Sequence, residues 1–314
     1  MEKTLSVIIP VYNEDNISTG VNRVIHVLED AGIPWEIILV DDGSKNDAWE
    51  QLEKLTRQHD RITAISFSRN FGKESALCAG LEQARGDCCV CIDADMQHPP
   101  EVIPEMYRLW RDQGYEVVLG IKKQRQRESL WYKLCANLFY GSLKKLSGID
   151  LNNGSDFRLL DRVAVEAWKA MPERQTFFRG MSSWVGFKST TLEFEVADRT
   201  DGTSKWTLRG LVRLAVDAVT SYTATPLYVS AFFGVLFCLF AAVMGIQTLF
   251  MYLTGRAQSG FTTVILLLLI IGGIILLGLG VIGIYIQKIY EEVKGRPRYI
   301  IRRKIEGRID YDQK

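Results

Sequence analysis

Asp93 and Asp95 stand two residues apart, after the apolar run Val90 to Ile92 and before the Pro99-Pro100 pair. An apolar run of that kind reads as a buried strand, which puts both carboxylates at its C-terminal lip. Side chains at i and i+2 share one face of an extended segment, so both can point at one ligand. Carboxylate oxygens joined by the amide oxygen of Gln97 suit a hard divalent cation, Mg2+ or Mn2+, that also holds phosphate oxygens. Taken alone, the spacing is weak evidence, because most such pairs are solvated surface acids. The surrounding elements have to decide.

Upstream, Leu5 to Pro10 is a short apolar strand running into Pro10-Val11-Tyr12-Asn13-Glu14. Trp35 to Val40 runs into Asp41-Asp42-Gly43-Ser44, and Ile62 to Phe67 into Ser68-Arg69-Asn70-Phe71-Gly72-Lys73. Helical patterns such as Val21 to Leu28 and Ala48 to Leu55 lie between them. Strands alternating with helices predict an α/β domain whose mainly parallel sheet is covered on both faces. Ligands bind such sheets beyond the carboxyl ends of the strands, which is where every polar cluster named here falls. A nucleotide would find natural partners there. Tyr12 can stack on a base, Asp42 can accept from base or ribose donors, and Asp95 with Gln97 can hold a metal.

These motifs, in this order, resemble the signature of family 2 glycosyltransferases with the GT-A fold. More narrowly, the chain resembles polyprenyl-phosphate glycosyltransferases, the group that includes dolichol-phosphate mannose synthase and the bactoprenol (undecaprenyl-phosphate) glucosyltransferases of O-antigen modification. The later segments Asn153-Gly-Ser-Asp-Phe-Arg158, Phe178-Arg-Gly-Met-Ser-Ser-Trp184 and Arg199-Thr-Asp-Gly-Thr-Ser-Lys205 extend the likeness, which runs from Ser6 to about Ile301. The resemblance implies nucleotide-sugar contacts at Pro10, Tyr12, Asn13, Glu14, Val40, Asp42, Asp93, Ala94, Asp95, Arg199 and Lys205. It implies a metal at Asp95 and Gln97, and catalytic roles for Asp95, Asp156 and Arg158. The Arg199–Lys205 loop would close over the donor diphosphate and exclude water.

Two readings stay open at Asp156. The family makes it the usual candidate base. A phosphate monoester nucleophile, with a second pKa near ~6, is already largely ionised at neutral pH and needs no strong base. Asp156 can instead orient a sugar hydroxyl or the acceptor, with Arg158 holding a phosphate or fixing Asp156. The basic run Lys122, Lys123, Arg125 and Arg127, with Lys133 in the next helix, is either a solvated loop or a clamp for the lipid phosphate; Lys122, Arg125, Arg127 and Lys133 are the acceptor candidates. Lys122 stands where the mannose synthases often carry arginine, so it offers a point charge in place of a bidentate fork.

Net charge is +1, which gives no case for nucleic acid as a partner. The average hides two uncharged runs, Pro226 to Thr254 and Ser259 to Gln287. Each exceeds the ~20 residues a bilayer core requires. A short loop with Arg256 joins them into a transmembrane hairpin. Lys288, Lys294, Arg296, Arg298, Arg302, Arg303 and Lys304 follow the second run, so the positive-inside rule puts both termini in the cytosol. The chain begins with a strand and shows no cleavable signal. Leu208 to Val219 has amphipathic helical spacing, which suits a helix lying on the membrane or a packing face for a second copy of the chain. Cys88 and Cys91 have Cys-x-x-Cys spacing without a second ligand pair, so the cluster reads as strand packing, with free thiols in a reducing cytoplasm.

The expected organisation is a cytosolic GT-A catalytic domain over 1–205, an amphipathic juxtamembrane helix over 206–225, two transmembrane helices over 226–287 and a basic cytosolic tail over 288–314. The expected activity is inverting, metal-dependent transfer of a hexose, glucose from UDP-glucose, to undecaprenyl phosphate at the bacterial inner membrane. N-acetylglucosamine and aminoarabinose are the alternative sugars, and a non-catalytic scaffold or flippase subunit is the rival from another class. A processive polysaccharide synthase would need a Gln-x-x-Arg-Trp motif and more spans, and the chain has neither. A lipid-linked sugar made in the cytosol implies a flippase and a downstream periplasmic glycosyltransferase as partners.

Overall fold

The computed structural model describes residues 3–122, 156–171, 173, 178, 186–194, 219–220, 223–255 and 260–307. Arg125, Arg127, Lys133, Arg199, Lys205 and most of the proposed juxtamembrane helix lie outside the described residues, and for Lys122 only the backbone is described. The chain divides into two compact units. The first comprises residues 1–144, 149–203 and 296–314, and the second residues 145–148 and 204–295.

The first unit is built on strands β1 (Leu5–Val11), β2 (Trp35–Asp41), β3 (Ile62–Phe67), β4 (Cys88–Cys91), β5 (Val117–Lys122), β6 (Arg158–Asp161), β7 (Ser189–Phe194) and β8 (Ile301–Ile305). They form one sheet in the order β7-β5-β6-β4-β1-β2-β3-β8. The β4-β1-β2-β3 centre is parallel, with Val11 beside Asp41 and Ile8 beside Cys91. β6 runs antiparallel to both β4 and β5, and β8 runs antiparallel to β3.

The helices of this unit are α1 (Ile17–Asp30), α2 (Ala48–Gln58), α3 (Lys73–Gln83), α4 (Ile103–Gln113) and α5 (Arg162–Lys169). Strand alternation assigns them to two layers. Val7, Ile9, Ile37 and Leu39 pack with α1, α2 and α4 in one core cluster. Ile8, Ile38 and Val40 face the other way and pack with α3 and α5. A central strand covered on both faces has no solvent side, which is why β1 and β2 read as largely apolar runs in place of an alternating pattern, and Ser6 and Glu36, the polar residues inside them, are hydrogen-bonded to each other in the interior. Gly80 lets α3 lie close on β1, since a Cβ there would stand 2.3 Å from Ile8 Cγ2.

Cys78, Cys88, Cys89 and Cys91 are buried free thiols of this core. Burial pushes the Cys89 thiol up to about 12, so at neutral pH it is a small apolar side chain and a poor nucleophile.

The second unit contains α6 (Thr225–Leu253) and α7 (Phe261–Val293). Both hold segments long and apolar enough to cross a membrane, Thr225–Leu253 with mean hydropathy 2.5 and Ile270–Val293 with mean hydropathy 2.2. None of the described α6 side chains is buried, and Phe232, Phe240, Leu249 and Leu253 are among those exposed. A helix apolar on every side is what a membrane span looks like by length and composition.

The structure departs from the expected tail over 288–314 in two places, the first being that α7 runs on to Val293. Ile301–Ile305 falls in the expected basic tail, yet it is a sheet strand of the first unit. Ile305 opposite Ala64 and Arg303 opposite Ser66 fix its register. The strand sits at the sheet edge with four of its five side chains exposed, so charged residues cost little there and no alternation betrays it.

Candidate active site

Strand order changes direction beside β1, which has β2 on one side and β4 on the other, both continuing by crossovers. The loops leaving the two strands diverge there and leave a crevice at their carboxyl ends. A cavity of about 330 Å³ occupies that place, lined by Pro10, Val11, Tyr12, Glu14, Asp42, Asn70, Gly72, Lys73, Asp93, Ala94 and Asp95.

The walls hold one another in place. The Asp42 carboxylate accepts from the Phe71 amide at 2.6 Å and the Gly72 amide at 2.9 Å. The end of β2 thus fixes the loop after β3. Burial raises the Asp42 pKa, the two amide bonds oppose that rise, and the Asp41 charge adds to it. Asp41 does parallel work one residue earlier, accepting from Ser44 N at 2.8 Å and Ser66 Oγ at 2.7 Å. Gly43 has φ +70, and a Cβ there would stand 2.4 Å from the Arg69 carbonyl carbon. Only glycine fits a left-handed backbone with so close a neighbour. The Met96 amide closes a turn on Asp93 O at 3.2 Å, and Asp95 Oδ1 accepts from Gln97 N at 3.2 Å.

Lys73, at the first position of α3, ties the two halves of the site together. Its Nζ lies 2.5 Å from Asp93 Oδ1 and 2.7 Å from Asp156 Oδ2. Burial by itself would lower the Lys73 pKa, but the Asp93 and Asp156 charges outweigh it and hold the ammonium above the ordinary lysine value of 10.5. Asp156 is buried at 7% exposure and is followed by Phe157 and Arg158, also buried. His98 is buried as well, stacked on Phe157 at 5.2 Å, with Nδ1 3.8 Å from Asp93 Oδ2. The sequence reading assigns no role to Lys73 or His98. Their signal was adjacency alone: Lys73 ends the polar run after β3, and His98 follows Gln97.

The sequence-derived candidates separate in space. Pro10, Tyr12, Glu14, Asp42, Asp93, Ala94 and Asp95 line the cavity, and Asp156 reaches it through Lys73. Val40 is fully buried in the core on the α3 side, one residue short of the strand's polar end. Asn13 bridges loops, its amide donating to Ser44 Oγ and its Oδ1 accepting from Lys45 N, both at 2.9 Å.

Among the described residues, four carboxylates, Glu14, Asp42, Asp93 and Asp95, line the cavity against the one ammonium of Lys73. Burial, then the charges of Asp95, Asp15 and Asp93, push the Glu14 carboxyl above its ordinary value. Among the described residues no three His, Cys, Asp or Glu side chains converge as a preformed metal cluster. The donor set is nevertheless all hard oxygen and carries excess negative charge, which fits Mg2+ or Mn2+ sharing its shell with a ligand's own oxygens.

The description "Glycosyl transferase family 2" matches residues 6–167, the stretch that carries these strands and the cavity. The chain belongs to this family. An uncharacterized glycosyltransferase of Synechocystis sp., sll0501, is 38% identical over 95% of this chain and 94% of its own length. A second, Bacillus subtilis YkcC, is 37% identical over 95% and 93%. A Shigella flexneri protein described as SfII prophage-derived bactoprenol glucosyl transferase is 36% identical over 96% of this chain and 99% of its own. All three alignments run past residue 167 through the apolar helices, so the likeness includes the second unit. The family's GT-A fold accounts for the parallel β4-β1-β2-β3 centre and for the switch-point cavity.

Proposed function

We propose that this protein transfers a hexose, glucose from UDP-glucose, to undecaprenyl phosphate, giving a polyprenyl-phosphate sugar for cell-envelope glycan modification. The observation that carries this reading is the acidic switch-point cavity, with the Lys73–Asp156 ion pair at its side, in a chain whose two long apolar helices suit a lipid substrate. The near full-length likeness to a bactoprenol glucosyl transferase supports the acceptor.

In this reading an ionised phosphate oxygen of the lipid attacks the anomeric carbon in line. The new carbon–oxygen bond forms as the bond to the nucleotide diphosphate breaks, with inversion. Tyr12, 43% exposed at the cavity mouth, stacks on the base. Asp42, with both oxygens already accepting backbone amides, keeps the Asn70–Lys73 wall in place and has lone pairs left for a ribose hydroxyl. Asp95 and Gln97 would hold Mg2+ or Mn2+, which when bound neutralises charge on the leaving diphosphate. Asp156 accepts a charge-assisted bond from Lys73, an arrangement that suits orientation better than proton abstraction. Arg158 lies behind it. Lys122, with Arg125, Arg127 and Lys133, meets the lipid phosphate, and Arg199 and Lys205 cover the donor.

The test is a panel of radiolabelled nucleotide sugars offered with undecaprenyl phosphate and Mn2+, scored by lipid extraction. Label from UDP-glucose is expected in the lipid phase only when both lipid phosphate and metal are present. Label from UDP-N-acetylglucosamine or an aminoarabinose donor would reassign the sugar. No label from any donor would favour the scaffold or flippase-subunit reading.

The pairing of β8 with β3 supports the hairpin topology. Strands of one sheet lie in one compartment, so the chain before α6 and the chain after α7 must lie on the same side of any membrane that both helices cross. The excess of Lys and Arg after α7 makes that side the cytosol. Reporters fused at either terminus should read cytosolic, and one inserted within residues 254–260 should read periplasmic. Opposite locations for the two termini would remove the two-span reading.

A further inference from the structure

The residues that link α7 to β8 grip the first unit at two separate points. At the first, the Arg298 guanidinium donates to Met171 O at 2.6 Å and Glu173 O at 2.6 Å, just past the end of α5. It also lies 5.7 Å from the Trp168 ring centre. Trp168 meets Phe178 edge-on at 6.3 Å, and Phe178 carries the Arg158 guanidinium 5.2 Å from its ring centre. A chain of contacts, guanidinium to indole to phenyl to guanidinium, therefore runs from Arg298 to Arg158, two residues from Asp156. Such contacts hold planes at fixed spacing.

At the second point Tyr299 stacks on Phe67 at 4.9 Å and 15°. Phe67 meets Phe71 edge-on at 5.8 Å, and Ile300 O accepts from Ser68 N at 2.9 Å. These residues begin the loop whose Phe71 and Gly72 amides bind Asp42, and whose Asn70, Gly72 and Lys73 line the cavity. Glu82 of α3 joins the two points, because it accepts from the Tyr299 hydroxyl and lies 3.9 Å from Arg298 Nη1. Glu74 joins the two walls, accepting from Phe178 N at 2.6 Å.

We propose that Arg298 and Tyr299 are positioning residues of one strap: Arg298 sets the Arg158–Asp156 wall, and Tyr299 sets the nucleotide-facing loop after β3. The strap follows α7 directly in the chain, so the segment leaving the apolar hairpin is also the one that shapes the site. Neither side chain touches the cavity. Each acts through others, and each acts on a different half of the reaction. This inference rests on the reading of the cavity as a sugar-donor site.

Full-length Arg298→Ala, Arg298→Lys and Tyr299→Leu proteins in lipid-supplemented detergent provide the test. For Arg298→Ala, kcat per folded molecule is expected to fall on the order of tenfold to a hundredfold, as for other displaced positioning groups, with donor KM little changed. Arg298→Lys keeps one carbonyl bond and the cation over Trp168, so it should recover part of kcat. Tyr299→Leu should raise donor KM about tenfold, a loss of binding through the loop, with kcat little changed. Hydrogen–deuterium exchange should quicken at Phe178 in Arg298→Ala and at Phe71 and Gly72 in Tyr299→Leu. A lowered Tm with unchanged kinetic constants per folded molecule, the same kinetic signature in both variants, or unchanged exchange at those amides would each overturn the proposal. If the wild-type protein transfers no sugar, the reading of the site falls, and the exchange measurements still decide the strap.

Discussion

Asp95→Ala is expected to lower transfer by on the order of a hundredfold to a thousandfold, the cost of removing a group that stabilises developing charge in a closed site. Asp95 lies on the cavity wall with one carboxylate oxygen turned to the Gln97 amide. A diphosphate entering this cavity meets Glu14, Asp42 and Asp93 as well, with Lys73 as the ammonium on the wall. Without a cation, like charges would face each other across a few ångströms in a partly desolvated space. Asp95→Asn keeps shape and loses charge, so it should fail nearly as badly. The measurement is initial-rate transfer at saturating Mn2+, paired with UDP binding by calorimetry with and without metal. The wild-type affinity should depend on Mn2+, and that dependence should vanish in the variant. Near-normal turnover of Asp95→Ala would end the metal assignment. The fold should survive the change, because Asp95 is at the surface of the unit and outside its core clusters.

The second large effect concerns Lys73 and Asp156. Lys73→Met is expected to lose most transfer and to lower Tm, because it leaves the Asp156 carboxylate, only 8% exposed, without its ammonium partner. Asp156 is the buried member, Lys73 being 40% exposed, and leaving a buried carboxylate unmatched costs more than replacing both groups. The double variant Lys73→Met/Asp156→Asn should therefore regain part of the lost Tm, a non-additivity expected for groups in direct contact. An additive result would show that the ion pair does not hold the wall.

In Asp156→Asn alone, single-turnover transfer at saturating donor should still rise with pH through the acceptor's second ionisation, near ~6. Its plateau should be lower than the wild type's because positioning is lost. Lys73 does not confuse this measurement. In the wild type its folded pKa is raised above 10.5 by Asp93 and Asp156, so its contribution is fully present below the unfolded value and is lost only as pH rises through the still higher folded one; in Asp156→Asn the Asp93 carboxylate stays beside it. Across pH 5 to 8 it stays constant. Glu14 and Asp42, whose pKa values are raised, do titrate nearer that window, and saturating donor keeps their effect on binding out of the rate. A flat, near-zero profile in a variant that still binds the nucleotide would return Asp156 to the role of general base.

What the sequence determined by itself was local. Apolar runs ending in polar clusters located β1 to β4, because a strand buried on both faces is apolar at most positions and function concentrates in the loops that leave it. Two uncharged runs located α6 and α7 for a similar reason, since a bilayer tolerates few alternatives. The cavity-lining residues Tyr12, Glu14, Asp42, Asp93 and Asp95 were legible because strand ends in a parallel sheet converge wherever they start in the chain.

Tertiary structure decided what depends on partners far apart in sequence. That Asp42 spends two lone pairs on its own backbone, that Val40 turns into the core and that Asn13 bridges to Ser44 and Lys45 are matters of which way each side chain faces at a strand end. Lys73 became the link between Asp93 and Asp156 only when β6 was laid antiparallel to β4, which brings residues 83 positions apart within one hydrogen bond. The tail gave least warning. Ile301-Arg302-Arg303-Lys304-Ile305 carries the charge of a solvated or membrane-facing segment, and charge is what an exposed edge strand tolerates. Its pairing with β3 uses backbone groups common to every residue, so no side-chain pattern could announce it, and only the assembled sheet shows that the chain beyond the apolar hairpin returns to the site.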